Sequence, residues 1–142
     1  MFQCALGAQD GRVALAFHGA NPGETHVAHG SSTPGAASVP MRRLDDVLAE
    51  EGIHAIDYLK IDVEGFEFPV LQGAMGILGS SPRVAVQTEM QERHAARYGH
   101  GLDGIGRLLA LAGFRPHRIA PDGTPHRLEG AARGEVVWLR DA

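Results

Sequence analysis

Hydrophobic positions in this chain fall into short blocks whose spacing alternates between strand and helix. The densest block is 56–65, where Ile56, Tyr58, Leu59, Ile61 and Val63 form a nearly continuous apolar run, the pattern of a strand buried on both faces. Directly after it, Phe66, Val70, Leu71, Ala74, Ile77 and Leu78 recur at three- and four-residue spacing, which predicts a helix. Pro69 sits in its first turn, where a missing N–H costs little. Upstream, residues 1–6 predict a strand end, 9–12 a turn around Asp10-Gly11, and 13–17 a second strand. Residues 18–39 carry Gly, Pro, Ser, Thr and His without periodicity and predict a long loop insertion. Residues 43–51 predict a short helix with Leu44, Val47 and Leu48 inward, stopped by Gly52. A turn at 79–82 leads into a buried strand over 83–89 around Val84, Ala85 and Val86. Leu102, Ile105, Leu108, Leu109 and Ala112 mark a further helix, closed by Gly113. Residues 114–119 and 135–140 predict two strands joined through Asp122-Gly123. No internal repeat is visible.

The middle of the chain thus runs strand–helix–strand–helix–strand, an α/β order that predicts right-handed crossovers and parallel neighbours. The last two strands have no helix between them and should be antiparallel. In open α/β sheets, ligands bind just beyond the carboxyl ends of the strands. Asp62 and Glu64 arrive at that end of strand 56–63. If strand 83–89 lies beside it, Glu89 emerges at the same edge. Neighbouring strands are about 5 Å apart, so two or three carboxylates come within reach of one ligand. Each also has an architectural reading. Asp62 could instead hydrogen-bond loop amides at its strand end and Glu89 be a solvated strand terminus, and Glu64 stands where a carboxylate caps the following helix. Lys60 alternates with apolar neighbours and either snorkels to the surface or pairs with an acid.

Composition narrows the function classes. The chain has 142 residues, 44% of them hydrophobic, enough for one core and most simply one domain over 1–142. A net charge of −4 with no Lys/Arg cluster gives no electrostatic case for nucleic acid or an anionic membrane. The single cysteine, Cys4, excludes an intrachain disulfide and a thiolate metal cluster. No signal peptide or membrane span is visible, and the chain is expected to be cytoplasmic. Among the eight histidines, His26 and His29 are close, and His94 and His100 flank Tyr98. None shows metal-ligand spacing, so no metal is assigned. His94 is kept as an acid–base candidate because it follows Glu89 into the loop beyond the strand.

Several segments together resemble a known family. Leu44-Asp45-Asp46-Val47, then Tyr58-Leu59-Lys60-Ile61-Asp62-Val63-Glu64-Gly65-Phe66-Glu67, then Val70-Leu71-Gln72-Gly73-Ala74 and a strand ending in Glu89 resemble the FkbM family of methyltransferases. Ala5-Leu6-Gly7 followed by Asp10-Gly11 is similar to that family's segment after its third sheet strand. The likeness spans residues 3–119, with 43–119 the best-matching core. It implies a Rossmann-like class I methyltransferase fold, S-adenosylmethionine (SAM) as cofactor, and O-methylation of a hydroxyl on a sugar, polyketide or similar secondary metabolite. It further implies that Ala5, Leu6 and Gly7 flank the adenine. Asp62 would lie near the methionine end of SAM and the acceptor hydroxyl, as base or orienter. Asp62, Glu64, Glu89 and His94 are then the catalytic candidates.

The family's first strand, Gly-rich turn and helix, and its second strand with a ribose-binding acid, have no counterpart in these residues. Gly19-Ala20-Asn21-Pro22-Gly23 has glycines, but Pro22 and the lack of a following helix disqualify it as a cofactor turn. The expectation is therefore the C-terminal portion of a methyltransferase domain. Its partial fold would be a mostly parallel sheet with an antiparallel C-terminal strand pair. Such a portion would be inactive alone, and would self-associate or meet a complementing N-terminal half. Two other classes stay open: a carboxylate- and Mg²⁺-dependent phosphohydrolase, and a non-catalytic remnant or interaction module.

Overall fold

The computed structural model describes residues 3–17, 25–28, 37–99 and 101–141. Two sheets, five short α-helices and one 3-10 turn (Ala96–Tyr98) lie in these parts. The first sheet holds β1 (Ala5–Leu6), β2 (Gly11–Phe17), β3 (Thr25–Val27) and β4 (Ala37–Arg42) in the order β1-β4-β2-β3. Only β1 and β4 pair in parallel; β2 is antiparallel to both its neighbours. Two pieces of the expected loop over 18–39 are therefore strand. Leu15 of β2 lies opposite Val27 on one side and Ala37 on the other. Pairing with β2, rather than local apolar alternation, makes these segments extended. The glycine-bearing stretch 19–23 lies outside the described residues.

Helix α1 (Leu44–Glu50) forms as expected, with Leu44 and Val47 buried and Asp45 and Asp46 in its first turn, where acids meet the positive end of the helix dipole. Asp45 also reaches beyond its own helix. Its carboxylate accepts the Gly76 N–H at 3.0 Å and the Ile77 N–H at 2.8 Å, the free donors of a second helix start. The single helix expected after residue 65 is consequently two, α2 (Glu67–Gln72) and α3 (Met75–Ser80). The break falls at Gly73, where an added Cβ would stand 2.0 Å from the Gly7 carbonyl oxygen. Close packing on β1 and capping by Asp45 together redirect the chain. The apolar stripe survives the break, and Val70, Leu71, Ala74, Ile77 and Leu78 are all buried.

The second sheet contains β5 (Tyr58–Ile61), β6 (Ala85–Met90), β7 (Phe114–Ile119), β8 (Pro125–Arg127) and β9 (Gly134–Arg140), in the order β5-β6-β9-β7-β8. The strands β5 and β6 are parallel neighbours, with Ile61 opposite Thr88. The expected antiparallel pair is present as β7 and β9. The expectation of a mostly parallel sheet, however, is corrected: β9 inserts between β6 and β7, antiparallel to both. The strand β8, antiparallel to β7, adds an edge. The helix α5 (Leu102–Leu111) thus joins strands that are not neighbours. Side chains explain the order. Val136 and Trp138 of β9 are buried, and the Trp138 indole N–H donates to the Thr88 hydroxyl at 2.9 Å. The strand β7 carries Arg115, His117 and Arg118 and suits a more peripheral place.

The core packs this sheet against α2, α3 and α5, around Leu71, Leu78, Ile105, Leu109 and Phe114. Arg140 joins the layers: its guanidinium lies 4.3 Å from the Phe114 ring centroid and donates to the Leu78 and Ser81 carbonyls at 2.7 Å each. Among the described residues, no helix is long and apolar enough to cross a membrane.

Candidate active site beyond the ends of β5 and β6

The parallel register carries Asp62, just after β5, and Glu89, near the end of β6, to the same edge of the sheet. The chain then turns sharply into α2. Glu64 adopts a left-handed backbone (φ +53°), and Gly65 follows at φ +103°. A Cβ on Gly65 would lie 2.2 Å from the His94 carbonyl oxygen, so the loop presses directly on α4 (Glu92–Ala95). Only glycine allows both that contact and that dihedral. Pressed this way, Glu64 meets His94: its Oε2 lies 3.1 Å from Nδ1. Glu64, Glu89 and His94 each offer an atom within 4.8 Å of the other two. Glu89 is oriented in turn by Gln91, whose amide donates to its Oε1. Arg93 holds Gln91 through a 2.9 Å bond to its amide oxygen.

Asp62 belongs to different surroundings. It is half-exposed, and Lys60 Nζ lies 3.3 Å from its Oδ2, so Lys60 takes the acid-pairing option. Asp62 lines a cavity of about 880 Å³ together with Ala5, Leu6, Lys60, Val63 and Phe66. The structure therefore brings Ala5 and Leu6 to Asp62 across the two sheets. Gly7 does not line that cavity. It is packed against Gly73 and the Met41 side chain, and its N–H donates to the Arg42 carbonyl at 2.9 Å.

Sequence reasoning missed the role of Glu67. This first residue of α2 is 2% exposed, and its Oε1 accepts the Gly65 N–H at 3.1 Å and the Val63 N–H at 3.3 Å. The capping considered for Glu64 is not made, since α2 has no side-chain cap bond; Glu67 instead ties down the loop amides that precede the helix. Burial pushes its carboxyl above the ordinary value of 4.5, and the backbone N–H groups of Glu67 itself, Gly65 and Val63, with nearby His94, oppose the shift only in part. A signal was available, since Glu67 precedes Val70 and Leu71 by one turn and lies on the inward stripe. Of the other histidines, His26 falls in β3, while His29 and His100 lie outside the described residues.

The site thus offers a half-exposed carboxylate on a cavity wall, suited to orienting a ligand or taking a proton, and a separate group in which partly exposed carboxylates meet a buried imidazole. No curated protein and no solved structure matches the chain. A family model does: the methyltransferase FkbM domain matches residues 2–116, a span that contains every candidate residue named above. The chain belongs to the FkbM methyltransferase family.

Proposed function

We propose that the protein is a SAM-dependent O-methyltransferase of the cytoplasm, acting on a hydroxyl of a sugar or secondary metabolite. The observation that carries this reading is the single cavity lined by Ala5, Leu6 and Asp62 in a chain of this family. Its volume of about 880 Å³ lies in the range of small-molecule sites. Its residues suit SAM: Leu6, Phe66 and Val70 offer an apolar wall to an aromatic base, and the Asp62 carboxylate offers negative charge to a cationic group. When bound, SAM supplies a methyl group already activated on a sulfonium.

The protein's part is alignment and proton transfer. Asp62 orients the acceptor hydroxyl and takes its proton on a carboxylate oxygen. Lys60, 3.3 Å away, fixes that carboxylate against the wall. Completing the cofactor cradle requires a strand, a Gly-rich turn and a helix, an order of elements not found among the described residues. The proposal therefore includes a further segment supplying them beside β5.

Methyl transfer from labelled SAM to a panel of hydroxyl acceptors tests this, with and without a polypeptide supplying that segment. The chain alone should transfer little, and the completed protein should be active. Asp62→Asn should then lower turnover by about two to four orders of magnitude, the usual span for a general base, with circular dichroism unchanged. Near-normal turnover in that variant would make Asp62 architectural. Transfer to no hydroxyl at all would end the O-methylation reading.

A further inference from the structure

We infer that Glu64, Glu89 and His94 form a binding site for one divalent transition-metal ion, Mn²⁺ or Zn²⁺. Three chain segments meet here: the turn after β5, the end of β6, and α4. Their donor atoms lie within 4.8 Å of one another. Ligands bonded at about 2.1 Å in a tetrahedral shell stand about 3.4 Å apart, so side-chain shifts of about 1–2 Å close the shell.

Charge argues in the same direction. Two carboxylates converge on one imidazole, which carries at most a single positive charge, so the group by itself remains anionic. A second observation is independent of the cluster's composition. The His94 side chain is 9% exposed, and its ring makes one polar contact among the described residues, the one to Glu64. Nδ1, the nitrogen aimed at Glu64, is thus held inside the cluster rather than in solvent.

The surroundings hold the ligands in place. Gly65 fixes Glu64 against the His94 main chain, and the Gln91 amide orients Glu89, as outer-shell partners do in metal sites. The donor set of two carboxylate oxygens and an imidazole nitrogen favours Mn²⁺ or Zn²⁺ over Mg²⁺ and Ca²⁺, which prefer oxygen alone. The spacing 64, 89, 94 matches no linear motif, which explains why the sequence assigned His94 to no metal.

The site is separate from the question of methyl transfer, so its test reads binding rather than activity. The chelator-treated 142-residue chain is titrated with Mn²⁺, followed by the paramagnetic resonance of the free ion, and with Zn²⁺ by calorimetry. One saturable site per chain of sub-millimolar affinity is expected. Loss of an outer-shell partner alone typically weakens metal binding by about 10–100-fold, so Glu89→Gln, which removes a ligand, should weaken it at least tenfold. Glu51→Gln, an exposed carboxylate at the end of α1, should leave it unchanged. His94→Gln should abolish binding where circular dichroism shows the fold retained, and Glu89→Gln keeps the test decisive if it does not. Absence of saturable binding would overturn the site, as would a folded Glu89→Gln that binds like wild type or an equal loss in Glu51→Gln. Mg²⁺ displacing Mn²⁺ at equal concentration would overturn the imidazole ligand.

Discussion

Glu67 carries more of this loop than its place in the motif suggests. Its buried carboxyl ties down the Val63 and Gly65 amides, and burial raises its pKa above 4.5. The sign of the consequence follows from linkage. Below 4.5 the group is protonated in both the folded and unfolded chain. As pH rises past that value, the unfolded chain releases its proton first, so stability falls until the folded group ionises too. Glu67→Gln removes this dependence while keeping an oxygen for the two amides. The melting temperature of the variant relative to wild type should therefore climb as pH is raised from about 4 to about 7. A constant difference would show that Glu67 does not titrate in that window. At this scale the sequence was half legible. It marked the acids at the end of β5, but which of Glu64 and Glu67 turns back onto the loop amides is decided only by the left-handed turn at Glu64.

Glycines set where the elements begin and break. Gly65 combines φ +103° with a Cβ position 2.2 Å from a backbone oxygen. A left-handed dihedral alone costs an L-residue about 1–2 kcal/mol, and backbone cannot yield as a flexible side chain does. Gly65→Ala should destabilise the protein by more than about 2 kcal/mol, read from urea denaturation. Gly79 is the contrast, for it lies inside α3 with nothing within 4 Å of an added Cβ. Gly79→Ala should stabilise by about 0.5–1 kcal/mol through helix propensity alone. If both variants shift stability alike, the close approach of Gly65 to His94 is not what fixes the turn. Periodicity found the apolar faces of α1, α2, α3 and α5 because burial is written residue by residue. It could not find the break between α2 and α3, which depends on Asp45 and Gly7 some 30 and 66 residues earlier. For the same reason β3 and the start of β4 were hidden, since β2 pairs with both.

At the scale of the whole molecule, strand order was the least legible feature, because nothing local says that β9 enters between β6 and β7. Its position depends on Trp138 reaching Thr88 in the interior. That order leaves β5 at one edge of the second sheet, paired with β6 alone among the described residues. Tyr58 on β5 is 53% exposed, and its hydroxyl donates to the Gln87 side chain of the neighbouring strand. Lys60 is the one charge along that strand. An edge of this kind, with unpaired backbone donors and acceptors and little charge, recruits strands from other chains. The chain by itself should therefore associate as concentration rises. Light scattering at increasing concentration should show growing mass. Tyr58→Lys, which adds a second charge to the edge, should delay the growth while circular dichroism stays unchanged. A sharp monomer at every concentration would show that the edge is already protected. Growth that Tyr58→Lys leaves untouched would place the association on another surface.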